Sequence, residues 1–102
     1  MKEILSDIQA WRARGDQVAL ATVVWTSGST PRATGAKMAV NSRGEFVGSV
    51  SGGCVEGAVI DEARAVIKSG KPKLVNYGIS DDMAWDVGLA CGGSIQVFIE
   101  KI

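Results

Sequence analysis

Two segments of the chain have the spacing of apolar residues that is typical of an amphipathic helix. The first covers residues 2–14, and Gly15 follows at the position where a glycine often ends a helix. The second covers residues 54–69 and is followed by Gly70 and Pro72. The apolar stripes consist of Ile4, Leu5, Ile8 and Trp11 in the first segment, and of Val55, Val59, Ala63, Val66 and Ile67 in the second. The pattern therefore predicts two main helices.

Five shorter runs of apolar and β-branched residues predict strands. The longest, residues 18–25, is almost continuously apolar, so we expect a central strand buried on both faces. The other four strands are predicted over residues 37–40, 45–50, 73–77 and 94–100. A hairpin turn is predicted at residues 41–44, with a positive φ at Gly44. The resulting fold class is α/β (α+β), with a mixed β-sheet of about five strands and two main helices in a single domain.

Composition and charge indicate which classes of protein the chain does not resemble. The chain has 102 residues, 46% of them hydrophobic, and 11 basic residues balance 11 acidic ones. The chain therefore has no excess of basic residues, which a nucleic-acid-binding protein usually carries. No apolar run approaches the roughly 18 residues of a membrane span, and the first residues lack the pattern of a signal peptide. We therefore expect a cytoplasmic protein, without nucleic-acid or membrane partners, whose two cysteines are thiols.

Three glycine-rich segments adjoin predicted strands and carry most of the candidate chemistry. They cover residues 27–35, 51–54 and 91–94. If all three lie along one edge of the sheet, they form a pocket made mostly of backbone, in which N–H groups suit a phosphate or another anion. None has the spacing of a Walker loop or of a dinucleotide-binding fingerprint. The alternative is that these segments are simply tight turns.

The two cysteines are the sharpest candidates for reactivity. Cys54 lies at the amino-terminal end of the second predicted helix, where a thiolate is stabilised and the pKa of the thiol is lowered. Either Cys54 or Cys91 could bind a soft metal, and the alternative for each is a small buried hydrophobe. The chain contains no histidine and no Cys-x-x-Cys pair, so a zinc site and a Cys-His or Ser-His nucleophile pair are not expected.

Charged residues near these segments have less specific roles. Arg32 and Lys37 bracket the first segment, and the Arg32 guanidinium is suited to bidentate contact with a phosphate. Glu56 lies in the first turn of the second predicted helix, where it either complements the helix dipole or acts toward a ligand. An acidic trio, Asp81, Asp82 and Asp86, either binds a cation or is simply solvated.

Four motifs occur in a fixed order and together resemble those of the XdhC/CoxI family. They are Thr26-Ser-Gly-Ser-Thr-Pro-Arg32, Gly35-Ala-Lys-Met38, Gly48-Ser-Val-Ser-Gly-Gly-Cys-Val-Glu56 and Gly88-Leu-Ala-Cys-Gly-Gly-Ser94. Members of this family are accessory proteins of xanthine dehydrogenase and related molybdenum hydroxylases. The resemblance implies a chaperone, rather than an enzyme with turnover of its own, that binds the molybdenum cofactor (molybdopterin) as cargo. It also implies protection of the cofactor while a cysteine desulfurase sulfurates it, and delivery to the apo-enzyme.

The resemblance also implies a set of cofactor-binding residues from three of the motifs. They are Ser27, Gly28, Ser29, Arg32, Ser51, Gly52, Gly53, Cys54, Glu56, Cys91, Gly92 and Gly93. Arg32 is the candidate for the phosphate, and residues 51–54 form the centre of the site with residues 91–93 facing them. Whether Cys54 or Cys91 ligates molybdenum stays open.

Many family members carry a Rossmann-like second domain, and residues 1–102 resemble the amino-terminal domain alone. We therefore expect no Rossmann-like domain in this chain, which is either a naturally short family member or the partner of a separately encoded Rossmann-like protein. A small sheet with open edges would also gain from forming a homodimer. Two other functions stay open: a redox or sulfur-transfer enzyme that depends on Cys54, and a structural component of a split, two-chain chaperone.

Overall fold

Two helices lie on a five-stranded sheet in the computed structural model, which describes residues 2–27, 34–50, 55–78 and 94–102. In chain order the elements are α1 (Lys2–Ala13), β1 (Val18–Ser27), β2 (Lys37–Asn41), β3 (Phe46–Gly48), α2 (Glu56–Ser69), β4 (Lys73–Gly78) and β5 (Ser94–Lys101). The two predicted helices and five predicted strands are confirmed. Neither helix in the described part of the chain is long and apolar enough to cross a membrane.

The order of the strands is β3-β2-β1-β5-β4, so β1 is central as predicted. Each pairing within the described residues is antiparallel, whereas the sequence pattern led us to expect a mixed sheet. The reason lies in the connection through α2. The strands that α2 joins, β3 and β4, run in the same direction, but they occupy opposite edges of the sheet, where they cannot pair. The fold class, α/β with one five-stranded sheet and two helices, is confirmed.

The helices cover opposite faces of the sheet. Along β1, Val18 and Leu20 pack with the apolar residues of α1, while Ala19, Ala21 and Val23 pack with those of α2. This alternation confirms that β1 is buried on both faces. The apolar stripe predicted for α2 is also buried, through Val55, Val59, Ala63, Val66 and Ile67. In α1 the buried stripe consists of Ile4, Ile8 and Trp11, and Leu5 is exposed.

Helix α1 packs mainly on β1, β2 and β3, which leaves part of its face of the sheet uncovered. Trp25 of β1 is 48% exposed and Leu74 of β4 is 54% exposed. On β4, Val75 and Tyr77 alternate with Leu74 and pack in the core beneath α2. Leu74 therefore points to the opposite face, beside the strands that α1 does not reach.

Turns predicted from glycine are confirmed, and three element ends differ from the prediction by two residues. Gly15, Gly44 and Gly70 each have a positive φ, at 88°, 84° and 75°. Strand β1 continues past residue 25 to Ser27, because a bulge after Val23 restores its pairing with β5. Strand β3 is shorter than predicted and ends at Gly48. Helix α2 starts at Glu56 rather than at Cys54, because Val55 has the non-helical φ of −131°.

Candidate functional site

The three glycine-rich segments are attached to the same end of the sheet. The last pairs along β1, β5 and β4 join Ser27 to Ser94 and Gly78 to Ser94, so these three strands end in one row. Strand β3 ends at Gly48 on the same side, and α2 starts from there. We call the region bounded by Ser27, Gly48, Gly78, Ser94 and the first turn of α2 the loop end. Each predicted glycine-rich segment begins or ends in this region.

The edge of the sheet at the loop end is uneven, because the strands on one side of β1 extend further than those on the other side. We call this difference the step beside β1. Strand β2 begins with Lys37, which lies opposite Thr22, and Val23 still exchanges backbone hydrogen bonds with Gly35 and Ala36. Beyond Val23, β1 pairs only with β5 among the described residues. Three strands therefore extend past the other two. The Lys37 ammonium lies at this step, where it donates to the Thr22 hydroxyl at 3.3 Å.

The residues that precede segment 51–54 pack closely against the backbone of β2. Gly48 has a φ of +81°, and a Cβ at this position would lie 2.4 Å from the carbonyl oxygen of Lys37. The N–H of Ser49 donates to that same oxygen at 3.1 Å. Val50, which follows, is fully buried. Only glycine allows β3 to approach β2 this closely before the chain turns toward α2.

Glu56 forms hydrogen bonds that join the residues on either side of segment 51–54. Its Oε2 accepts a hydrogen bond from the Ser49 hydroxyl at 2.7 Å and another from the N–H of Val50 at 3.1 Å. Glu56 is the first residue of α2, so these bonds join the end of the β3 extension to the start of the helix. Hydrogen bonds to a carboxylate are stronger than those between neutral groups. The carboxylate therefore links the residues that precede segment 51–54 to the residue at the start of α2.

This contact bears on the two roles that the sequence left open for Glu56. Its place in the first turn of α2 suits the helix dipole, as one alternative held. In addition, its carboxylate joins Ser49 and Val50 to the start of α2, a role that was missed from the sequence. Its assignment as a cofactor-binding residue stays a prediction.

The start of α2 provides the electrostatic character of the loop end. Val55 is the N-cap residue, and a valine side chain has no oxygen with which to cap the first turn. Backbone N–H groups in the first turn of a helix carry the positive end of the helix dipole and suit an anion. Cys54 precedes this N-cap residue directly in the sequence. Helix α2 begins at Glu56, two residues after Cys54, where the sequence predicted its start.

Of the predicted site residues, Ser27 and Glu56 are described. Ser27 is exposed at the end of β1 and lies opposite Ser94. The others lie outside the described residues, and their assignments stay predictions: Gly28, Ser29, Arg32, Ser51, Gly52, Gly53, Cys54, Cys91, Gly92 and Gly93. The candidate metal ligands Cys54 and Cys91 are among them, as is the acidic trio. The described residues hold no group of three or more histidine, cysteine, aspartate or glutamate side chains that could bind a metal ion.

Tyr77 is a polar residue near the loop end that was missed from the sequence. It is the second-last residue of β4, is 4% exposed and lies opposite Ile95 of β5. Burial, with a smaller contribution from the nearby carboxylates of Glu62 and Asp61, raises the pKa of the Tyr77 phenol well above its usual value. The phenol therefore stays protonated. Its spacing from Val75 already indicated an inward-facing position, but not the surroundings of its hydroxyl.

A surface hollow of about 420 Å³ lies far from the loop end. It is lined by Gln17, Ser42, Arg64, Ala65, Ile67 and Lys68. These residues belong to the carboxyl-terminal half of α2 and to the turns at the opposite end of the sheet. None of the predicted site residues contributes to this hollow, so it does not mark the predicted site.

Comparison with known proteins identifies the group to which this chain is related. The model of the XdhC and CoxI family matches residues 11–78. The chain is 38% identical over 89 residues to the molybdenum cofactor insertion chaperone PaoD of Escherichia coli strain K12, a match that covers 86% of this chain and 27% of that protein. It is 36% identical over 89 residues to a probable xanthine dehydrogenase subunit of Bacillus subtilis strain 168, covering 85% of this chain and 27% of the relative.

A solved structure shows the same fold. The crystal structure described as a xanthine dehydrogenase from Bacillus halodurans matches with a TM-score of 0.75 and 32% sequence identity. That match covers 94% of this chain and 29% of the other one. This chain therefore spans about a quarter of the length of the relatives that it matches. By the family match and by its similarity to these relatives, the chain belongs to the XdhC and CoxI family.

Proposed function

We propose that this protein binds the molybdenum cofactor at the loop end and assists its insertion into a molybdenum hydroxylase such as xanthine dehydrogenase. The names of the relatives support a role connected with this cofactor, since one is a molybdenum cofactor insertion chaperone. The observation that carries the proposal is the contact just before α2. There, the Glu56 carboxylate joins Ser49 and Val50, which precede the glycine-rich segment 51–54, to the start of a helix.

The chemistry of molybdopterin agrees with the described parts of the loop end. The cofactor carries a phosphate, a flat polar pterin and a metal bound by a dithiolene. The first turn of α2 suits the phosphate, and the Lys37 ammonium adds a positive charge at the step beside β1. The glycines of the three segments would let a bulky ligand approach the backbone. In the proposal, Arg32 contacts the phosphate and Cys54 and Cys91 lie near the metal.

Glu56 acts in this proposal through the turn, as a positioning residue. Its carboxylate accepts hydrogen bonds from Ser49 and Val50, so the residues on either side of segment 51–54 are joined in the absence of ligand. Contacts that exist before binding reduce the conformational entropy that is lost when the ligand arrives. Cofactor affinity should therefore depend on Glu56 even without direct contact.

The proposed partners follow from the proposed cargo. They are the apo-enzyme of a molybdenum hydroxylase, a cysteine desulfurase that sulfurates the cofactor, and a separately encoded Rossmann-like protein. All of these would meet the chain in the cytoplasm. Self-association as a homodimer would cover the exposed side chains of Trp25 and Leu74.

Cofactor retention tests the proposal and the role of Glu56 together. The protein is incubated with molybdenum cofactor under reducing, anaerobic conditions and separated from free cofactor, and the oxidised pterin is then measured by fluorescence. The wild-type protein should retain pterin, and Glu56→Ala should bind it about tenfold more weakly, since two hydrogen bonds to the turn are lost. Glu100→Ala removes the same charge from the other end of β5, opposite Leu20, and should bind like the wild type.

The outcomes separate the proposal from its parts. A wild-type protein that retains no pterin contradicts cofactor binding. Wild-type retention with equal affinities for Glu56→Ala and Glu100→Ala contradicts the positioning role of Glu56 and leaves cofactor binding intact.

A further inference from the structure

The Tyr77 hydroxyl is buried without a hydrogen-bond partner. Within the described part of the chain it is the one buried side-chain nitrogen or oxygen of which this is true. The residue is 4% exposed, so water does not compensate. An unpaired buried hydroxyl costs free energy, and few native proteins leave one without a reason. Phenylalanine would fill the same space without that cost.

The position of Tyr77 connects this hydroxyl with the loop end. Tyr77 lies opposite Ile95, and the next pair, Gly78 and Ser94, closes this end of the sheet. Its side chain belongs to the core beneath α2, which also contains Val55 at the start of that helix. The side chain therefore lies in the layer between α2 and the sheet, and its backbone is one residue pair from the loop end.

The charges near Tyr77 restrict the kind of group that its hydroxyl can bind. Glu62 and Asp61 of α2 are close enough to disfavour the phenolate, and burial disfavours it further. The phenol is therefore a neutral O–H donor throughout the ordinary pH range. Glu62 is paired with the Lys73 ammonium at 2.8 Å, but Asp61 would still repel a phosphate, whereas an uncharged acceptor such as a ring carbonyl oxygen is not repelled.

We infer that Tyr77 is a ligand-binding residue whose phenol O–H donates a hydrogen bond to an uncharged acceptor on the pterin ring of the cofactor. This inference rests on the proposed function and adds that different parts of the loop end bind the pterin and the phosphate. The pterin lies on the β4 and β5 side of the loop end, at Tyr77. The phosphate lies at the first turn of α2, away from Asp61 and Glu62. The hydroxyl that is unpaired in the free protein finds its partner in the ligand.

Tyr77→Phe tests the inference because it removes only the hydroxyl, and the predicted effects on folding and on binding are opposite. The free variant should unfold in urea at the same midpoint as the wild type or a higher one, since an unpaired buried group is removed. Its affinity for the cofactor, measured by retained pterin, should fall about tenfold, since one buried hydrogen bond to the ligand is lost.

Ile95→Val serves as the matched control. Ile95 lies directly opposite Tyr77 and is almost fully buried, but its side chain offers no hydrogen bond. This variant should lower the urea midpoint through lost packing and leave cofactor affinity unchanged. Because Tyr77 is the only tyrosine of the chain, selective ¹³C labelling of tyrosine Cζ gives one NMR signal. That signal should shift when the cofactor binds.

Three outcomes would overturn the inference about Tyr77. A lower urea midpoint for free Tyr77→Phe shows that the hydroxyl already has a partner in the protein and overturns the inference. Equal cofactor affinity of Tyr77→Phe and a wild type that binds pterin overturns the inference alone and leaves the proposed function standing. A wild type that retains no pterin overturns both.

Discussion

At the scale of single residues, Gly48 is the glycine in the described part of the chain at which an added Cβ would meet the closest contact. Its φ of +81° is a conformation that residues with a Cβ rarely adopt. A Cβ would also lie 2.4 Å from the Lys37 carbonyl oxygen and 3.1 Å from the Cγ2 of Ile4. The first of these contacts is with backbone, which cannot move aside. Gly48 therefore fixes how β3 leaves β2 on its way to the loop end.

Gly48→Ala should accordingly destabilise the protein by about 2 to 4 kcal/mol, the sum of a positive φ and an overpacked contact. Gly57→Ala is the matched control, since Gly57 lies in α2 and a Cβ there would meet no atom within 4 Å. That change should stabilise the protein by up to about 1 kcal/mol through helix propensity. Urea unfolding followed by circular dichroism measures both. Equal stabilities of Gly48→Ala and the wild type would contradict this account of the turn.

Local signals in the sequence were enough to predict some residues of this fold and not others. The glycine that ends α2, Gly70, was predictable because its role depends only on neighbouring residues. The role of Glu56 depends on contacts with Ser49 and Val50, which are seven and six residues away and approach it only in the folded chain. The unpaired hydroxyl of Tyr77 is a property of packing between α2 and β4. Spacing along the chain carries no signal for either contact.

At the scale of elements, a group of ion pairs joins α1, β1 and the β2–β3 hairpin at the end of the sheet opposite the loop end. Arg14, just after α1, pairs with Asp16 and with Glu45 of the hairpin. Arg43 pairs with Asp16 at 3.2 Å. The hydrogen bond from Arg14, together with its charge and that of Arg43, lowers the pKa of Asp16 below its usual value. The Asp16 side chain is only 7% exposed, so it is the least solvated member.

These pairs predict how stability depends on pH. Because the pKa of Asp16 is lower in the folded protein than in the unfolded chain, its charge stabilises the fold above about pH 4. That contribution is lost as the pH falls through the lower, folded pKa. Asp16→Asn should therefore show a smaller loss of stability than the wild type between about pH 5 and pH 2. Urea midpoints across this range provide the measurement.

Asp7→Asn is the control for this prediction, since Asp7 is a carboxylate of α1 outside these ion pairs. It should keep the steep loss of stability at low pH. An equally steep loss for Asp16→Asn would show that the ion pairs at this end do not carry the acid sensitivity.

The elements themselves were largely predictable, because their signals are periodic and local. Both helices, all five strands and the hairpin turn at Gly44 follow from apolar spacing and glycine positions. The antiparallel sheet was not predicted, because pairing is decided between residues far apart in sequence. Strand β5, the last in the chain, lies between β1 and β4. A mixed sheet needs parallel neighbours, but β3 and β4, the strands that α2 joins, lie at opposite edges of the sheet.

At the scale of the whole molecule, the two ends of the sheet have different characters. One end joins α1 to the β2–β3 hairpin by ion pairs. The loop end gathers the boundaries of three glycine-rich segments, the start of α2 and Tyr77. The central claim is that the cofactor binds at the loop end. It predicts where binding changes the protein, as well as whether binding occurs.

Hydrogen–deuterium exchange with and without bound molybdenum cofactor tests this claim most directly. Binding at the loop end should slow amide exchange at the end of β1, in the first turn of α2 and where β4 and β5 end, over residues 24–27, 55–59, 77–78 and 94–95. Exchange in the hairpin at residues 42–46 should stay unchanged, since it lies at the opposite end. Slower exchange in that hairpin, or no slowing at the loop end of a protein that holds pterin, would contradict the account.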